Sequence, residues 1–289
     1  MSSHLLPTRT RDRVLVDQVR ESPVDQDLRR TRKRILWGIL VAVVLVLVAR
    51  LGWRFTADRP VDYRSDEDHF KYGSIGSEPG GSLSDSAGGL LPPYEIFKVL
   101  PQVCPEKLPG GYASLGLIFE PGRDLPIGVS RRFRLGFDQV GLNCAVCHTA
   151  TIRDTASSSP QIVLGLGANQ FDLQGYLTLL RKAGQDPRFN ADTLLAAIRK
   201  HDPKFSWIEG LAYRWFVIPR TKKALVQLNR DFAWMDSRPD LGPGRVDTFN
   251  PYKVYLGMDI AKDTTVGTAH LPSLWNQEIR RGMSLHWDG

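Results

Sequence analysis

The chain has 289 residues, 42% of them hydrophobic and 24% charged, which is enough to bury a core in one or two domains and excludes a disordered polymer. Its formal charge is +7, but residues 1–34 hold nine Arg/Lys against five Asp/Glu, so +4 of the excess lies in that tail. The remaining +3 is ordinary for a soluble domain and speaks against nucleic acid as a partner.

In chain order, the tail ends in a dense basic block, Arg29-Arg30-Thr31-Arg32-Lys33-Arg34. Ile35 to Ala49 then carries no charge, and with Leu51, Gly52 and Trp53 the run reaches about 19 residues if Arg50 snorkels, the length of a membrane span. Trp37 and Trp53 sit near its ends, where indoles favour the headgroup level. A cleaved signal peptide fits less well, because the leader is long and Val48-Ala49-Arg50-Leu51 is a poor cleavage site. The expectation is a single transmembrane anchor over 35–53. Orientation follows from the basic block: a cytoplasmic tail (1–34), a periplasmic remainder, and residence in a bacterial inner membrane.

Residues 54–92 are rich in Gly, Ser and Asp and read as an exported linker that becomes a docking loop. Gly73-Ser-Ile-Gly76 lacks the spacing of a dinucleotide fingerprint. Ile96 to Leu100 is expected to form a short helix stopped by Pro101. Pro-Gly pairs at 109–110 and 121–122 bracket a turn or strand between Tyr112 and Phe119.

Asn143-Cys144-Ala145-Val146-Cys147-His148 carries the chemistry. Two thiols three apart followed by an imidazole form a c-type haem attachment site, in which both sulfurs lie on one face of a helical turn and reach the two vinyl groups of one porphyrin. His148 then ligates the iron, for which neutral imidazole is well suited. A structural zinc site would need four ligands, and the only other cysteine is Cys104, forty residues upstream. A thioredoxin-like pair would need a βαβ setting, and no strand-rich apolar run precedes Cys144. Cys104 itself reads as a buried apolar residue.

Beyond the motif the pattern is helical. Leu173, Tyr176, Leu177 and Leu180 form one stripe, and Asn190 is placed to cap a helix carrying Leu194, Leu195 and Ile198. A third helix is expected from Trp207 to Val217, and a fourth, separated from it by Pro219, through Leu225, Leu228, Phe232 and Met235. The exported part, 93–289, is therefore expected to be a mainly α, cytochrome c-like haem domain with long loops. Candidates for a sixth iron ligand are Met235, Met258, His270, Met283 and His286. Neither His nor Met occurs between His148 and His201, which favours a five-coordinate iron if that region covers the distal face.

Phe70-Lys-Tyr-Gly-Ser-Ile-Gly-Ser-Glu78, Gly111-Tyr-Ala-Ser-Leu-Gly116, Leu125-Pro-Ile-Gly128, the stretch from Gly136 to His148 and Leu173-Gln-Gly-Tyr176 together resemble the latex-cleaving rubber oxygenase type of dihaem cytochrome c. Leu271-Pro-Ser-Leu-Trp-Asn276 and Leu285-His-Trp-Asp-Gly289 are similar to a segment of the wider bacterial dihaem cytochrome c peroxidases. The resemblance implies haem c held by Cys144, Cys147 and His148, with Trp287 at the position thought to pass electrons between two haems. The distal His usual in the peroxidases is missing here, which favours the oxygenase-like, open-iron branch. No second C-X-X-C-H precedes Gly289, so a second haem is expected either beyond residue 289 or in a partner. The function expected is a haem-dependent oxidoreductase, with a mono-haem electron carrier or a haem-based sensor as alternatives and a redox protein or second haem domain as partner.

Overall fold

The structure, a computed structural model, describes residues 23–56, 63–73, 92–134, 136–260, 262–275 and 277–282. The chain divides into two units, Met1–Phe55 and Thr56–Gly289.

In the first unit, α1 spans Pro23–Thr56. It starts well inside the expected tail and takes the basic block into its own turns, since straight-chain Arg and Lys lose little freedom in a helix. Among the described residues no helix is long and apolar enough to cross a membrane. This corrects the anchor expected over 35–53. The charge-free part, Ile35 to Ala49, is 15 residues between Arg34 and Arg50, about 22 Å of helix against a hydrocarbon core of about 30 Å. The single-pass inner-membrane location, with a cytoplasmic tail and a periplasmic haem domain, rested on that span and is corrected with it.

The second unit also differs from the mainly α, cytochrome c-like domain expected. Over the described residues the structure is about 50% helical with 12% strand, and three antiparallel two-stranded sheets lie among the helices. After α2 (Asp66–Tyr72) and α3 (Tyr94–Val103) come β1 (Pro109–Tyr112), then β2 (Val129–Arg134) paired with β3 (Phe137–Leu142), then α4 (Cys144–Cys147). Next are β4 (Thr149–Ile152) paired with β5 (Gln161–Leu164), α5 (Leu173–Ala183), α6 (Ala191–His201), α7 (Trp207–Ala212) and α8 (Ile218–Asp231). Finally β6 (Arg245–Asp247) and β7 (Thr268–His270) pair on either side of α9 (Asn250–Tyr255). These strands are three to six residues long, too short for period-two alternation to stand out in sequence.

The core is where α3 packs on α6, burying Ile96, Phe97, Val99 and Leu100 with Leu194, Leu195 and Ile198. The cap expected at Asn190 forms: its side chain accepts from Thr193 N at 3.0 Å. Two prolines do not act as expected. Helix α3 runs through Pro101 to Val103 because the carbonyl left without its i+4 partner, Phe97 O, accepts instead from the Tyr112 hydroxyl at 2.8 Å. Likewise α7 and α8 are joined rather than separated near Pro219, through a π-helical turn at Tyr213–Val217 in which Ile218 N donates to Tyr213 O, and Pro219 falls in the first turn of α8, where a proline is tolerated.

Cys104 is buried, its Sγ 3.7 Å from Asp186 Oδ2. Asp186 accepts from Arg188 Nη2 and Lys107 Nζ, each at 2.8 Å. Those cations, Arg188 foremost, hold its carboxyl well below the usual range. A depressed native pKa contributes stability that is present above the unfolded value, about 3.9, and is lost as pH falls below it. Asp186→Asn is therefore expected to cost about 1.5–3 kcal/mol at pH 7. In denaturant titrations its deficit against wild type should shrink between pH 4 and pH 2, and a constant deficit would contradict this account.

Candidate haem-attachment site

Helix α4 is a single turn, held from both sides by segments distant in the chain. Asn143 caps it, its side-chain oxygen accepting from Ala145 N at 2.8 Å while Nδ2 donates to Ser130 Oγ at 2.7 Å and to Lys71 O at 3.2 Å. Asn143 N donates to Gly128 O, and Gly128 N donates to Lys71 O, both at 2.9 Å. Gly128 has φ +87°, and a Cβ there would stand 2.3 Å from the backbone of Val146, so only glycine lets this loop lie against the motif turn. Helix α2 is secured in turn by Lys71 Nζ, 2.6 Å from Glu67 and 2.8 Å from Glu120.

On the other side, His148 N donates to Cys144 O at 3.0 Å, and the chain after β5 returns to the motif, with Gly165 N donating to His148 O at 2.8 Å and Ala168 N to Cys147 O at 2.9 Å. That return brings in the Leu271–Trp275 segment. Leu274 N donates to Gly165 O at 2.6 Å, and Trp275 Nε1 donates to Leu164 O at 3.2 Å. The outcome is one contact sequence alone did not predict: His148 Nδ1 lies 2.8 Å from Pro272 O. A carbonyl oxygen only accepts, so Nδ1 carries the hydrogen, and in the neutral ring Nε2 keeps its lone pair for a metal. The nearest signal in sequence was the Leu-Pro-Ser-Leu-Trp run, which pointed to the segment but not to a backbone carbonyl.

The thiols differ. Cys144 is exposed and Cys147 partly so, and neither is in a disulfide. Burial pushes the Cys147 thiol up to about 11, with Cys144 adding to the shift. A thiol–disulfide pair works the other way, by lowering one pKa. Among the described residues no group of three or more His, Cys, Asp and Glu is placed to hold a metal ion. The residues do fit a haem c: one exposed and one partly buried thiol on a single turn, and an imidazole oriented through Nδ1.

Of the sixth-ligand candidates, Met235 lines a cavity of about 60 Å³ with Leu173, Leu177, Phe232 and Val246. His270 ends β7, paired in register with Arg245, and Met258 is exposed after α9. Met283, His286 and Trp287 lie outside the described residues. Comparison with known family models, curated proteins and solved structures finds no match.

Proposed function

We propose that this chain binds one haem c covalently, as a haem-dependent redox protein that passes electrons or acts as an oxidoreductase of the dihaem peroxidase and oxygenase type. The observation that carries the reading is the Pro272 carbonyl behind His148 Nδ1. Donation to a carbonyl fixes the ring and leaves the Nε2 lone pair free, the usual arrangement behind a metal-ligating histidine. Cys144 and Cys147 lie on one turn and would hold the group through two thioethers, with His148 as the iron ligand. Iron supplies the one-electron chemistry. Asn143 and Gly128 hold the turn, and the high pKa of Cys147 keeps that thiol from reacting as a free thiolate. Trp287 is the position we assign to electron passage toward a second haem.

The test is expression of the full chain with a cytochrome c maturation system. The expected result is a Soret band and a band on denaturing gels that retains haem stain, with a pyridine haemochrome of the two-thioether kind. Protein purified without Soret absorbance under those conditions would overturn the assignment.

A further inference from the structure

The side of α7, the π-helical turn and α8 that faces away from the core is apolar where a soluble helix is polar. Tyr213, Val217, Ile218, Thr221 and Leu225 are buried on the inner side. On the outer side Trp207 is 71% exposed, Ile208 61%, Leu211 47%, Trp215 68% and Phe216 63%, with Ala212 and Pro219 exposed among them. Positions spaced by four drift by about 40° per step around an α-helix. The wider π turn at Tyr213–Val217 takes back part of that drift, so two tryptophans, a phenylalanine, an isoleucine and a leucine stay in one row.

The surroundings of this row are basic. Residues 199–223 hold seven Lys/Arg against two Asp/Glu. Of the two acids, Glu209 is engaged by the Ser206 cap, its Oε2 accepting from Ser206 N at 3.1 Å and from Ser206 Oγ at 2.8 Å. Arg199, Lys200, Lys204, Arg220 and Lys223 are exposed. Arg214 is paired with Asp192 at 2.5 Å, and Lys222 Nζ donates to Phe189 O at 3.0 Å, so these two are turned to intramolecular partners.

We infer that this row is a peripheral membrane-docking surface for anionic lipid, lying in the plane of the interface. The row from Trp207 to Pro219 is about 18 Å of helix, and a convex strip of that size sinks its side chains into the headgroup and upper acyl region without spanning it. Indole rings favour that depth, and exposed Arg and Lys at the edge each add attraction to anionic headgroups. Charge complementarity selects such a surface over zwitterionic lipid. The inference does not depend on the haem assignment, because these residues belong to different elements from Cys144, Cys147 and His148.

The experiment uses the full chain and vesicles of phosphatidylglycerol, with phosphatidylcholine vesicles for comparison. Lipids brominated near the headgroup should quench part of the tryptophan emission on phosphatidylglycerol. That part should disappear in Trp207→Phe/Trp215→Phe, which keeps the apolar character and so keeps the binding. Phe216→Ser is expected to weaken partitioning about tenfold, with an unchanged circular dichroism melt. If that variant folds poorly, Arg220→Glu/Lys223→Glu at the basic edge should show the same preferential loss on anionic vesicles. The inference is overturned if wild type shows no Trp207- and Trp215-dependent quenching. It is also overturned if binding is equal on both lipids, or if the row proves to join copies of the chain, seen as a concentration-dependent mass abolished by Phe216→Ser.

Discussion

Cys144→Ser/Cys147→Ser is expected to lose haem stain on denaturing gels completely, whereas each single variant keeps one thioether and shifts the pyridine haemochrome toward the one-thioether position. The two singles should differ in stability. Cys144 is exposed, so exchanging its sulfur for a hydroxyl touches little of the core and should stay within about 0.5 kcal/mol of wild type before haem is added. Cys147 packs against the hydrophobic core, and a serine hydroxyl there brings a polar group into a setting that already pushes the native thiol up to about 11. A cost of about 1–3 kcal/mol is expected from that desolvation. Retention of stain by the double variant would mean that attachment does not run through these sulfurs. Equal stability of the two singles would contradict the difference in their surroundings.

Gly167→Val is expected to damage the site without touching a proposed ligand. A Cβ at Gly167 would stand 1.8 Å from Leu271 O and 2.7 Å from Leu271 C, and both are backbone atoms that cannot rotate aside. The Leu271–Trp275 segment would have to move, and with it the Pro272 carbonyl 2.8 Å from His148 Nδ1. Overpacking of this kind costs about 1–3 kcal/mol, measurable by chemical denaturation with or without haem. In haem-loaded protein the loss of the carbonyl partner should also free the imidazole orientation and shift the midpoint potential. A variant as stable as wild type would show that the segment does not lie against Gly167. A destabilised variant with an unchanged potential would detach the Pro272 contact from the iron.

How much was legible in sequence depends on the range over which each signal acts. The C-X-X-C-H run is local, and so is the cap expected at Asn190, which bonds to an amide three residues away. Helix boundaries at prolines are not legible where the deciding feature is distant or unusual, as with Tyr112 for the Phe97 carbonyl and the π turn before Pro219. Arg181 is another case, a basic residue at the end of a readable stripe that is in fact fully buried beside Asp236, 2.9 Å away.

The sequence alone determined the identity and order of the reactive groups: two thiols three residues apart, with an imidazole directly after the second, an order fixed by the covalent chain before any folding. What only the tertiary structure decided is which nitrogen of His148 is left for a metal. That choice is made by a carbonyl 124 residues further along the chain, brought there by the turn at Gly165 and the close approach of Leu271 to Gly167. Such long-range contacts leave no periodic trace in the sequence, because a backbone oxygen is the same in every residue and only the fold determines where it points.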